Sequence, residues 1–410
     1  MIESGLRGYP LASVALLTCG VVTVSPVARP LPALPDLRSA AVQLTAGSDS
    51  GVGDLLTPWI TQFNDASADA TGLAQNFFLA PFVGAQQATV DGFGYLQDLI
   101  NGTSLSTVLG DIQTNLTDVL SAFALTDASS ATTSTTTGMT LDALHGLVFG
   151  QLPSMLPAST PAAVTEVLNF LASPASGILI GALGPLISPE VALLNSVESI
   201  VTAIQADDST TALQDLAALP ANVFGSFFDG ATLNLDSLVP AVNDSGFLPA
   251  GDSVSALSFA FGGLLSPGAV SDTFKAATGS IHAAGGSIFN SLGIDLNVLL
   301  GTTPISLDLA ANPVGPLGAV EGFDELVGLL LGDNWNGKGA TAGNPLSGLT
   351  FPTLPDTDAA AASSLNLTDL LSDFSGLNDM GSSLSVEAAN SLSSLVDLPH
   401  ELATGLLSLF

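Results

Sequence analysis

Three histidines, His145, His282 and His400, are the side chains best placed by type to move a proton or hold a metal near neutral pH, and each stands alone. None has a Glu-x-x-His or cysteine partner at ligand spacing, so no zinc site is expected. His145 lies among Leu144, Leu147 and Val148 and reads as a core or groove histidine. The run Gly332-Asp333-Asn334-Trp335-Asn336-Gly337-Lys338-Gly339 keeps the spacing of a phosphate-binding loop up to its last position, where Gly339 replaces the magnesium-binding Ser or Thr. The following ATAGNPLSG cannot open the helix such a loop requires, so the run reads as a Gly-rich turn anchoring Trp335. No Gly-x-Ser-x-Gly elbow occurs and no run matches a calcium loop. The aspartates are spaced singly along helical segments, as a solvated face would be. Leu354-Pro355-Asp356-Thr357-Asp358 resembles a sortase signal but lacks its glycine and its apolar-plus-basic tail. The expectation is a protein without catalytic, cofactor-binding or metal-binding residues, and not an enzyme.

Charge excludes other classes. The 410 residues carry 37 Asp and Glu against 5 Lys and Arg, a formal charge of −32, and after Arg38 the only bases are Lys275 and Lys338. Such a chain is repelled by phosphate backbones, so nucleic acid is excluded, and anionic lipid headgroups do not attract it either. Any membrane contact must be apolar or bridged by divalent cations. Only 10% of the residues are charged and 47% are hydrophobic, with abundant small residues that let helices approach closely. Cys19 is the single cysteine, so no disulfide framework exists. Arg7 followed by the apolar run Leu11–Val24 has the form of a secretory signal and is shorter than the roughly 20 residues of a span. Export is therefore expected, with cleavage left open between Pro26-Val27-Ala28 and Ser39-Ala40-Ala41.

The elements that must position any site are mainly helical. In 55–87, Leu56, Trp59, Phe63, Ala66, Ala70, Leu73 and Phe77 recur in steps of three and four, which predicts a buried stripe, with Gln62, Asp65, Asp69 and Asn76 on the solvated side. A second helix follows Ala80-Pro81, with Val83, Val90, Phe93, Leu96 and Ile100 on one side, and a third starts near Ser104. Together they predict an antiparallel bundle over 42–125. Residues 126–138, rich in Ser and Thr, read as a linker or an edge ribbon. From 139 to 230 the chain is helical again, and Thr160-Pro161, Ser173-Pro174 and Ser188-Pro189 look like helix starts. Between Glu166 and Glu190 lie 23 uncharged residues, long enough for a membrane span. Pro174, Pro185 and Pro189, with Gly177, Gly181 and Gly184, cut this run into pieces that suit two short buried helices. Residues 231–358 read as short strands, single helical turns and loops, and 359–410 as a Ser/Leu/Asp-rich tail.

Several long stretches carry a family resemblance: AVQLTAG at 41–47, PWITQFNDASADATGLAQNFFLAPFVGAQQ at 58–87, LHGLVFGQLPSMLP at 144–157 and NFLASPASGILIGALGPLISPEVALLNS at 169–196, with FFDGATLNLDSLVP and FAFGGLLSPG. Together they resemble the outer-membrane porins of mycolic-acid-bearing actinobacteria of the Gordonia jacobaea (GjpA) type. The resemblance implies an exported protein of the outer membrane or cell envelope that forms a water-filled channel for small solutes. The residues by themselves show helical stripes where a transmembrane barrel needs repeated ten-residue alternation. A pore would therefore require oligomers or a large rearrangement. If one forms, acid-rich and base-poor composition implies cation preference.

The expected fold is mainly α: an N-terminal amphipathic helical bundle, then Gly/Pro-rich short helices and small β or irregular elements. Residues 1–41 are read as signal peptide and lead-in. The expected partners are outer-membrane lipids, other envelope proteins or further copies of the chain, with no nucleotide, nucleic acid or cofactor. A second expectation is a non-channel envelope or host-interaction protein that binds a helical partner.

Overall fold

A computed structural model describes residues 52–155, 162–245, 248, 251–276, 279–300, 303–332, 335–337 and 344–349. The expected signal peptide and the Ser/Leu/Asp-rich tail lie outside the described residues, as do Thr160-Pro161, His400 and 354–358. Ten helices are described: α1 Val52–Phe77, α2 Val83–Ile100, α3 Leu105–Ala124, α4 Ser130–Thr140, α5 Ala143–Met155, α6 Ala162–Leu171, α7 Pro174–Gln205, α8 Ser209–Asp229, α9 Val239–Asp244 and α10 Pro316–Leu331. Strands β1 Ala231–Asn234, β2 Ser253–Phe261, β5 Leu292–Leu300 and β6 Thr303–Leu309 form an antiparallel sheet in the order β1-β2-β5-β6, while β3 Thr273–Ala276 and β4 Gly279–His282 make a separate hairpin. The fold is thus mainly α with a small β part.

The first three helices form where periodicity places them, with Ser104 capping α3 through the Thr107 N–H. They do not build a bundle of their own. Helix α1 packs chiefly on α8, and α2 packs on α10, so these N-terminal helices close against elements far along the chain. The reason lies in α10, a sixteen-residue helix in a region expected to hold only short elements. Its buried line Gly318, Ala319, Gly322, Leu326 and Gly328 gives α2 and the 267–286 loops a close seat.

Residues 126–138 form neither a linker nor a ribbon; from Ser130 they belong to α4. Ser129 caps it by accepting from the Thr132 N–H, and the hydroxyls of Thr136 and Thr140 donate to the carbonyls four residues back. The hydroxyls are thereby satisfied within the helix, so a threonine-rich face can be buried with Met139 in the core around Val83, Phe274, Leu326 and Trp335.

The apolar run beyond Ser173 is one helix, not two short ones. Ser173 caps α7 by accepting from the Ser176 N–H, with Pro174 in the first turn as expected. Pro185 and Pro189 then stand inside the helix, so Ser188-Pro189 is not a start. An interior proline costs about 3 kcal/mol. Here packing offsets that cost, because Gly177, Gly181 and Gly184 lie directly on the carbonyls of Gly286, Gly315 and Gly262. A Cβ at any of the three would overlap those backbone atoms. Ser188 Oγ extends the same seam, donating to the carbonyls of Gly184 and Phe261.

Candidate functional site

On α7 and α8 mostly small side chains face inward and many large apolar ones face outward. On α7 the buried side is mostly small, Gly177, Gly181, Gly184, Ser188, Ala192, Ser196 and Ala203 with only Ile180 and Val191 as large apolar members, while Leu179, Leu183, Leu186, Leu193, Leu194, Val197, Val201 and Ile204 are exposed. Leu186 is 70% exposed and Ile204 60%. Glu190 is the one charged residue at a matching position on this outer stripe. Helix α8 repeats the arrangement: Ala212, Ala221, Gly225 and Ser226 are buried, and Leu213, Leu216 and Phe224 point out.

Helix α1 continues the face and overturns its own expected orientation. Leu56, Trp59 and Phe63, expected in a buried stripe, are exposed, with Phe63 at 54%. Trp59 touches Phe224 of α8 at a ring separation of 5.9 Å, joining the two helices' apolar stripes. Part of the polar side turns inward instead: Gln62 packs on Gly225, Asp69 is half-buried, and Asn76 is buried, donating to the His282 carbonyl, while Asp65 stays exposed as expected. Of the expected stripe only Leu73 is fully buried, with Ala66, Ala70 and Phe77 half-buried.

Two groups of carboxylates lie behind this surface. In the α1–α8 seam, burial and the charges of Asp69 and Asp65 raise Asp229 to about 7, and burial with Asp65 raises Asp69 to about 6. Both Asp229 side-chain oxygens are shielded and accept no hydrogen bond. On α10, burial and Asp324 raise Glu321 to about 8, and burial, Glu321 and Asp324 push Glu325 well above the carboxylate range. Asp324, raised to about 6 chiefly by burial, accepts from the N–H groups of Val83 and Gly84. It thereby caps α2, whose own N-cap Phe82 is left-handed and offers no side-chain cap. Among the described residues, no group of three His, Cys, Asp or Glu is arranged to hold a metal ion.

His145 sits in the core, as its apolar neighbours predict. Its Nδ1 meets Asp142 Oδ2 at 2.8 Å, its Nε2 meets the Leu292 carbonyl at 2.8 Å, and Asn312 Nδ2 donates to the same carboxylate. With both ring nitrogens engaged and 1% of the residue exposed, it ties α5 to β5 and leaves no nitrogen for a substrate. Burial raises Asp142, but the hydrogen bonds from His145 outweigh it and hold the carboxyl below its usual range. His282 lies apart on β4. Trp335 is buried against Phe274 at 5.2 Å next to a left-handed Gly337, the anchored turn expected there. A helix and not a strand precedes it, so the phosphate-loop setting is missing. A crevice between α4, α7 and α10, lined by Met139, Pro174, Gly286 and Phe323, has no room for a water molecule.

The outward face is hidden from a reading of aliphatic periodicity, which assigns such a stripe to the interior. The available signal is the small-residue line opposite it, Gly177-x-x-x-Gly181 continued by Gly184 and Ser188. No protein-family model, curated protein or solved structure matches this chain.

Proposed function

We propose that the chain is a cell-envelope protein that seats the apolar outer face of α1, α7 and α8 against an apolar phase. On this reading the small-solute conductance of the porin family it resembles arises from several copies assembled about that face. The observation that carries the proposal is α7. It is 32 residues long, about 48 Å at the usual helical rise, with a mean hydropathy of 1.8 over its most apolar window, of which 39% is buried. Its small side is used for packing and its large side is presented outward. That is the arrangement of helices in lipid, where burial of aliphatic groups inside the protein brings no gain and close backbone approach holds helices together.

Among the described residues there is one helix both long and apolar enough to cross a membrane, and an open four-stranded sheet. Backbone groups in hydrocarbon are satisfied only in helices or closed barrels, so conductance in this reading belongs to an assembly. The outer stripes carry no Lys or Arg, so the seat is apolar and not electrostatic. Acidic side chains lining an assembled pore give it cation preference. Outer-membrane lipids and further copies are the expected partners, and the reading needs neither cofactor nor enzyme chemistry.

The open sheet also favours a second reading, a non-channel envelope or host-interaction protein whose face receives a helical partner. Planar-bilayer recording with the purified mature protein, from about Val42 onward, separates the two. Stepwise cation-selective current that disappears on heat denaturation supports the channel. Silence across lipid compositions, with a soluble helical protein in the chamber, favours the interaction protein, and anion-selective current contradicts the charge argument.

A further inference from the structure

The α1–α8 seam changes character along its length. At one end Trp59 meets Phe224, next Gln62 fills the space beside Gly225, and beyond it Asp65 and Asp69 approach Asp229. Asp229 and Asp69 are half-buried at this contact, with the exposed Asp65 near enough to add its charge, and the shielded oxygens of Asp229 have no donor. Among the described residues no base compensates them, since Lys275, on β3, is the one Lys or Arg there. The groups facing Asp229 from α1 are Asp65 and Asp69. Helix α7, the other helix against α8, carries only Glu190 and Glu198 as charged side chains, both exposed. The 263–266 turn supplies Ser266 Oγ, which donates to the Asp229 backbone carbonyl and not to its carboxylate. Metal neutralisation is not offered either, since no metal-holding group is present among the described residues. The proton is the remaining counter-charge.

The C-terminal turns of α1 are fixed independently, by buried Leu73 and by the Asn76 bond to the His282 carbonyl. Its preceding turns contact chiefly α8. We propose that α1 is a proton-controlled strap: it lies on α8 while the seam carboxyls are protonated, and its turns before Gly72 lift away when Asp229 and Asp69 ionise together. Gly72, beside whose Cα there is open space, is the weak point of the helix that can take up the bend. Lifting removes Leu56, Trp59 and Phe63 from the outer face and uncovers Gly225 and the side of Phe224 that meets Trp59. The direction follows from linkage: Asp69 at about 6 and Asp229 at about 7 both lie above the ordinary aspartate value. Docking is therefore complete in acid, weakens from about pH 4 upward and is lost as pH rises through 6 to 7.

Hydrogen–deuterium exchange of the full chain at pH 5.5 and pH 8, corrected for the intrinsic pH dependence of amide exchange, tests the strap. Protection of the α1 amides before Gly72 should fall at least about tenfold between the two, while α3 and α7 amides hold theirs. Asp229→Asn combined with Asp69→Asn should keep the strap protected at pH 8. Equal protection of these α1 turns at both pH values overturns the proposal. So does a parallel loss across α3 and α7, which marks global unfolding, or a double variant that lifts as the wild type does. Should the double variant fail to fold, the wild-type comparison of α1 against α3 and α7 still decides.

Discussion

At the scale of single residues, the sharpest consequences come from backbone approach and from one buried pair. Gly184 of α7 lies on the Gly262 carbonyl, and no rotamer can relieve the overlap that a Cβ would create. Gly184→Ala is expected to destabilise by about 3 kcal/mol, measured as a lower urea midpoint at unchanged slope. Gly110 of α3 meets nothing within 4 Å, and Gly110→Ala should stabilise by about 0.5–1 kcal/mol in the same experiment. Equal effects at the two sites would show that α7 is not seated on backbone. His145→Ala leaves Asp142, 23% exposed, and the Leu292 carbonyl without their partner. A loss of about 1–3 kcal/mol is expected, chiefly from the Leu292 carbonyl and the emptied core position, because Asp142 keeps its bonds from Asn312 and from the N–H groups of residues 144 and 145. The histidine is structural, so this variant should alter stability and leave any channel or binding signal of the folded protein unchanged.

At the scale of elements, α10 is the organising helix, and its acids set a pH limit. Glu321 and Glu325 are raised above their unfolded values, so the stability they permit is fully present in acid and is lost as pH rises through about 8. Glu325→Gln keeps the shape and cannot ionise. Its thermal midpoint should match the wild type near pH 5 and exceed it at pH 9, and a wild type that gains stability between these values contradicts the assignment. Helix α10 also shows what sequence reading could reach. The helical content, the three N-terminal helices, the Ser173 start and the short strands after Gly230 are legible because periodicity and caps are local signals. The continuation of α7 through Pro185 and Pro189, and the threonine-rich α4, depend on tertiary seats that local breakers outweigh on paper. The capping of α2 by Asp324 joins residues some 240 positions apart, and no spacing rule reports it.

At the scale of the whole molecule, an ordinary apolar core coexists with buried polar groups and an apolar outer face. Buried positions hold Asn76, Gln86, Gln87, His145, Glu325 and several Ser and Thr, while Trp59, Phe63, Leu186, Leu194, Leu213 and Phe224 are exposed. Scattered exposed aliphatics are ordinary, but stripes continued over successive turns of three helices in consecutive contact are not. Each of these side chains, about half exposed, forgoes roughly 1–2 kcal/mol of burial, which an apolar phase can restore. Periodicity locates these stripes without giving their direction. An amphipathic helix turns its large side chains toward whatever is apolar, be it a core or a lipid, and only the small-residue line on the opposite side distinguishes the two.

Flotation of the full chain with neutral phosphatidylcholine vesicles, wild type beside the Leu186→Glu/Leu194→Glu variant, tests the outward face most directly. The wild type should rise with the vesicles without anionic lipid and at high salt, and the variant, folded to the same thermal midpoint, should stay in the dense fraction. A wild type that remains in the aqueous fraction as a detergent-independent monomer, or a variant that floats equally, contradicts the account.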